Sequence, residues 1–178
     1  MSIIPVGITV SPWESYTGKG WLPRELVGLL RTAGAHHDQV VNLAAICIME
    51  SGMEASNLPW FYCWDGAVYR NPGHDPVTSV DRGLFQINDA AHPDVSDAEA
   101  FNAEFAAEWA VLKTNGGSFS IWSSWQNNLR PEAMAANKTA SPARYKAAVN
   151  AWERAIVAVA NECAARKGIP LLPNAKLV

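Results

Sequence analysis

Glu50 is the residue whose surroundings point most directly to chemistry. It follows the run VVNLAAICIM (residues 40–49), apolar nearly all round, and precedes Ser51 and Gly52. A helix starting near Asp38 and ending at Glu50–Ser51 places Leu43, Ile46, Cys47 and Glu50 on one face. A helix apolar on every side is a central, buried one. Its last turn also carries the negative end of the helix dipole, which disfavours an anion. Desolvation and dipole both raise a carboxyl pKa, as a general acid working near neutral pH requires. The competing reading is a solvated Glu fraying ahead of a glycine, the ordinary state of a helix-terminal Glu.

A second carboxylate comes from SVDRGLFQIN (residues 79–88). Asp81 precedes a strand-like run in which Gln86 and Asn88 alternate with Phe85 and Ile87. Alternation sends the two amides to one face, where they suit sugar hydroxyls and acetamido groups. The alternative is a strand with one wet face and a turn Asp. In SIWSSWQNN (residues 120–128), Trp122 and Trp125 are three apart and flank one side of a short helix through 121–126. Paired Trp also serve as core. Trp60, Tyr62 and Trp64 are either stacking platforms in a cleft or an aromatic minicore.

The elements that must position these residues follow from the rest of the pattern. Residues 1–21 read as an irregular N-terminal arm. Pro23 opens a first helix running to about Ala33, stopped by Gly34. After the Glu50 helix, with Gly52 as its left-handed cap, Gly, Pro and aromatics crowd residues 53–88 into a small β subdomain. Ser96 and Glu99 form a capping box. The helix they open carries Phe101, Phe105, Trp109 and Leu112 on one stripe and stops before Gly116. Ser141-Pro142 starts a last helix ending at Gly168. Its 4,3,4,3,4 repeat of Tyr145, Val149, Trp152, Ile156, Val159 and Cys163 reads as the core seam. The class is α+β, mostly α. Residues 22–168 form one domain and 169–178 a C-terminal tail.

Composition narrows the function. At 178 residues, the chain can bury a full core without a metal or disulfide staple. Net charge is −3 with no Lys/Arg run, which argues against nucleic acid as partner. Cys47, Cys63 and Cys163 close no even disulfide framework, and no Cys/His spacing suggests a metal or other cofactor. His36, His37, His74 and His92 read as surface histidines. The opening MSIIPVGITVSPW has no basic n-region, so no secretory signal is expected, and no apolar run is long enough to insert in a membrane.

Taken together, Glu50-Ser51, SVDRGLFQIN and Trp122-Ser-Ser-Trp125-Gln-Asn resemble the lysozyme superfamily, animal (chicken-type) lysozymes as much as phage and bacterial relatives. The first is similar to the Glu-Ser bearing the family's catalytic acid. The second is similar to the Thr-Asp-Tyr-Gly-Ile-Phe-Gln-Ile-Asn strand, with Asp81 at the second carboxylate and Gln86 and Asn88 at the substrate-contacting amides. The third is similar to Trp-x-x-Trp-Arg-Asn, whose first Trp packs on the catalytic Glu. GGSFSIWSSW also resembles lysozyme-like domains of actinobacterial phages. The likeness covers roughly residues 38–127. Here the gap from Glu50 to Asp81 is longer than in animal lysozymes, their disulfides are missing, and Arg82 replaces an aromatic.

The resemblance implies a lysozyme-like fold and a glycoside hydrolase cutting the β-1,4 bond between N-acetylmuramic acid and N-acetylglucosamine in peptidoglycan. Glu50 and Asp81 would be catalytic. Ser51, Gln86, Asn88, Trp122, Trp125, Trp60, Tyr62 and Trp64 would bind the glycan strand, without a cofactor. Lytic transglycosylases share the Glu-Ser and a Gly-Leu-x-Gln-Ile strand and need only the acid, so that reaction is an alternative. A non-catalytic glycan-binding tail component is another. The resemblance implies a phage endolysin or virion-associated lysin, made in the bacterial host cytoplasm. It would reach the wall after holin-type release or within a virion, beside phage tail proteins.

Overall fold

The computed structural model describes residues 8–11, 14–54, 61–71 and 79–171. Helices dominate, in the order α1 (Pro23–Thr32), α2 (His37–Ser51), α3 (Asp97–Ala100), α4 (Ala103–Lys113), a π-helical turn (Trp125–Leu129), α5 (Pro131–Ala140) and α6 (Pro142–Arg166). Among the described residues, eight short strands complete it: β1 (Ile8–Ser11), β2 (Glu14–Tyr16), β3 (Gly20–Trp21), β4 (Gly52–Glu54), β5 (Phe61–Trp64), β6 (Val68–Arg70), β7 (Val80–Arg82) and β8 (Ile87–Asn88). They form two antiparallel sheets, ordered β1-β2-β6-β7-β8 and β3-β5-β4. The α+β, mostly α class is as expected.

α2 is the axis of the fold. Val40, Leu43, Ala44, Ala45, Ile46 and Cys47 have no solvent exposure, because α1, α4, α6 and β5 all pack on this helix. Gly52 is not a left-handed cap. Its φ is −81°, and it leads the chain straight from α2 into β4. A side chain there would collide with the Ile48 carbonyl and the Phe61 ring, so close approach is what requires glycine.

Three further expectations change. The arm is not irregular: residues 8–11, 14–16 and 20–21 are strands, because β2 finds β6 and β3 finds β5 more than 40 residues downstream. The helix opened by Ser96 stops at Ala100, and Asn102 caps a new one by accepting the Phe105 amide at 2.8 Å. In α4, Ala103, Ala106, Ala107 and Ala110 turn inward with Trp109, whereas Leu112 is 68% exposed. In α6 the buried stripe is Ala148, Ala151, Ala155 and Ala158, and Ile156 is 57% exposed. That stripe lies one residue, or about 100°, from the expected seam. Small side chains let α6 approach α1 and α2 closely. α5 was not foreseen. Among the described residues, no helix is long and apolar enough to cross a membrane.

Close packing at the alanine stripe makes a volume test direct. Ala155→Leu should overpack the α6 contact and destabilise by about 1–3 kcal/mol. Ile156→Ala, one residue away but exposed, should change stability by about 0.5 kcal/mol or less. Chemical denaturation of both variants checks the assignment of the buried face.

Candidate active site

α2 delivers Glu50, in its last turn, to the floor of a cleft between the helices and the β1-β2-β6-β7-β8 sheet. The cleft has two lobes of about 290 and 160 Å³. Glu50, Asp81, Gln86 and Ser123 line both, so the two carboxyl groups stand where the lobes meet. Burial raises the Glu50 pKa from 4.5 to about 7, and the nearby charge of Asp81 adds to the rise. The hydroxyl and backbone amide of Ser124, turned toward the carboxyl, act in the opposite direction. Glu50 therefore holds its proton close to neutral pH while remaining open to the cleft.

Asp81 is fixed from two sides. Asn88 Nδ2 donates to its Oδ1 at 2.8 Å, and Asn71 Nδ2 to its Oδ2 at 3.2 Å. Asn88 lies directly opposite Asp81 in the β7–β8 ladder. Behind this face, Arg82 is buried, donating to the Ile87 carbonyl at 3.2 Å and to Asp97 at 2.7 Å. The arginine that stands at a family aromatic position thus ties β7 to the start of α3.

GLFQ is a turn, not a strand, since only Ile87–Asn88 is extended. Gly83 has φ +73°, and a side chain there would strike the Ala100 carbonyl. Gln86 adopts φ +49°, a left-handed conformation that costs a non-glycine residue energy. Its side-chain amide donates to the Gly83 and Ala67 carbonyls at 2.9 and 3.1 Å, which holds the turn together. Leu84 and Phe85 are both buried, whereas strict alternation would expose one of them.

Trp122 lines the smaller lobe and shares it with Glu50. Its Nε1 donates to the Phe85 carbonyl at 2.9 Å, and its ring meets Trp109 edge-on at 6.1 Å. The other expected contacts separate. Ser51 is buried, with its hydroxyl donating to the Cys47 carbonyl at 3.2 Å, so it closes the helix end. Trp125 packs on Phe119 and Trp152, outside both lobes. Tyr62 and Trp64, 8% and 1% exposed, form a minicore with ring centroids 5.8 Å apart and are not sugar platforms. There they pack with Ala67, Tyr16, Leu22 and Met53. Trp60 and Trp13 lie outside the described residues. Trp21 donates its Nε1 to Asp65 at 3.1 Å, which anchors β3.

Several lining residues escaped sequence reasoning. Ser123, which lines both lobes, and Ser124, which acts on the Glu50 carboxyl, are the two serines between the Trp residues, and that position was their only signal. His92 is half-buried rather than freely exposed: it lines the smaller lobe edge-on to Trp109 at 4.9 Å, and burial lowers its pKa. Trp109, assigned to the core by its stripe, walls the same lobe. Glu14, Tyr16, Tyr69 and Asn71 line the larger one. Among the described residues, no group of three or more His, Cys, Asp or Glu is placed to hold a metal ion.

The elevated Glu50 pKa has a signed consequence for stability. The folded protein keeps this proton up to about 7, whereas an unfolded chain loses it near 4.5. The favourable contribution of the protonated carboxyl is complete below 4.5 and is lost as pH rises through about 7. Relative to wild type, Glu50→Gln should therefore gain stability between pH 4 and pH 8. At roughly 1.4 kcal/mol per pKa unit, the gain is bounded by about 3 kcal/mol. Thermal unfolding of both proteins across that range measures it; an equal difference at pH 4 and pH 8 contradicts the elevated pKa.

Neither the curated proteins nor the solved structures provided a match. The family model described as "Lysozyme like domain" matches residues 28–126, more than half of the chain, and that segment includes Glu50, Asp81, Gln86, Asn88 and Trp122. The glycan-cleaving, peptidoglycan-directed character of such domains agrees with a two-lobed cleft built around a protonated Glu and a hydrogen-bonded Asp. The chain belongs to the lysozyme-like domain family.

Proposed function

We propose that the protein is an N-acetylmuramidase that hydrolyses the β-1,4 bond between N-acetylmuramic acid and N-acetylglucosamine in peptidoglycan. One observation carries this reading. A carboxyl group protonated up to about pH 7 and a second, hydrogen-bonded carboxyl group stand together at the junction of two lobes. A polymer laid through both lobes has a bond at the junction and sugars on either side of it.

In the reaction, Glu50 donates its proton to the glycosidic oxygen as the bond breaks, and one sugar leaves with a free hydroxyl. Positive charge grows at the anomeric carbon. Asp81, held by Asn71 and Asn88, stabilises that charge or adds to the carbon. Water then attacks and returns a proton to the Glu50 carboxylate, restoring the starting state. Trp122 and Trp109 wall the smaller lobe on one side, and His92 and Asn88 offer hydrogen bonds there.

A second reading, a lytic transglycosylase, is favoured by the way both oxygens of Asp81 are already engaged by amide donors. Such a carboxylate acts as a fixed countercharge. The C6 hydroxyl of the muramic acid residue would then attack in place of water and leave a 1,6-anhydro end. In either case we place the protein as a phage endolysin or virion-associated lysin, made in the host cytoplasm and delivered to the wall. That setting is supported by the likeness to phage lysozyme-like domains.

Two experiments test the reaction. Purified protein should clear a suspension of bacterial walls, and Glu50→Gln should reduce the rate at least about 100-fold. If wild type leaves the walls intact, the protein is not a wall-cleaving enzyme. Mass spectrometry of the released fragments should find reducing ends; 1,6-anhydro ends would establish the transglycosylase instead. The pH dependence of kcat/KM should show a basic limb near 7, falling about tenfold per unit as Glu50 loses its proton. A rate still rising at pH 9 would remove Glu50 as the acid.

A further inference from the structure

Residues 8–21 precede the segment matched by the family, yet two of them stand in the cleft. The ladders explain how. Asn88 on β8 faces Asp81 on β7, Asp81 faces Tyr69 on β6, and Tyr69 faces Glu14 on β2. Directly opposed residues of antiparallel strands share a face. These four side chains therefore make one row across four strands, roughly 14 Å long at about 4.8 Å per strand. Tyr16 lies two residues from Glu14 and shares its face, while Ser15 between them points away.

Tyr16 is held from behind. Its ring packs on the minicore of Tyr62, Trp64 and Ala67, while Tyr16 itself lines the larger lobe with Glu50. Burial, Glu14 and Glu50 all raise its pKa, so the phenol stays a neutral hydrogen-bond donor. Among the described residues, no Lys or Arg lines this lobe. Its groups suit a neutral, hydroxyl-rich ligand.

We infer that the β1–β2 hairpin supplies an additional sugar subsite, extending the glycan track two strands beyond Asp81. The Glu14 carboxylate accepts hydrogen bonds from hydroxyl or amide N–H groups of a neutral sugar. The Tyr16 hydroxyl donates to an oxygen of the same residue. Glu14 and Tyr16 are thus specificity residues for strand length, and the assignment rests on the glycan reading above.

The test is binding, measured by calorimetry in the Glu50→Gln background so that no cleavage occurs. The probes are β-1,4-linked N-acetylglucosamine oligomers, a hexamer and a dimer. Adding Glu14→Ala or Tyr16→Phe should each reduce the hexamer's affinity advantage over the dimer about tenfold, the loss expected for one hydrogen bond to a charged or oriented group. Adding Ser15→Ala, on the opposite face of the same strand, should leave that ratio within twofold. Three results overturn the subsite: a ratio indifferent to Glu14 and Tyr16, an equal loss from Ser15→Ala, or no hexamer binding. The two readings fail separately. If wild type cleaves walls while the ratio is insensitive to the hairpin, only the subsite is wrong. If the ratio tracks Glu14 and Tyr16 but no bond is cut, only the hydrolase reading is wrong.

Discussion

Placing a carboxyl group at the end of a helix enclosed by apolar neighbours costs desolvation energy, and the surroundings of Glu50 are arranged around that cost. α2 exposes His37 and Asp38 at its start, but from Leu43 to Ile48 it is buried against its neighbours α1, α4, α6 and β5. Glu50 is carried into that environment by the helix and meets solvent only through the cleft. A proton resolves most of the penalty at neutral pH, and the same proton is the one a glycan-cleaving acid must give away. Ser124 works against the rise without cancelling it.

The sheet meets this helix end from the other side. β7 is pinned through Arg82 to α3, and the turn from Gly83 to Gln86 is folded back on Ala67. Asp81 therefore has little freedom of position, with an amide on each oxygen. The strained backbone of Gln86 lies beside both carboxyl groups, where strain serves geometry.

Sequence reading found Glu50 because the apolar run VVNLAAICIM marks a buried helix, and the likeness of its closing Glu-Ser to the family's acid set it apart from an ordinary frayed helix-terminal Glu. Asp81 and Asn88 were found through likeness of the whole segment, whereas the backbone of that segment was misread. Alternation in GLFQIN looks like a strand, but a positive φ at Gln86 is set by contacts with Ala67, 19 residues away. The N-terminal strands were invisible for a related reason. Strands of two to four residues carry almost no pattern, and their partners lie far downstream. In α6 and α4, ranking residues by hydrophobicity picked the large side chains. Helix contact selected the alanines, because close approach rewards small size.

The alanine stripe of α6 has one more consequence, for motion. Helices in contact through alanines have few rotamers to exchange and little room to slide, so the jaw bearing Glu50 is the rigid one. The opposite jaw is made of strands a few residues long, held at β7 by the Arg82–Asp97 contact. Water reaching Glu50 through the cleft would weaken its hold on the proton, because burial is the main cause of the raised pKa. A glycan strand seated between the jaws would displace that water, so occupancy of the cleft and protonation of the acid would favour each other.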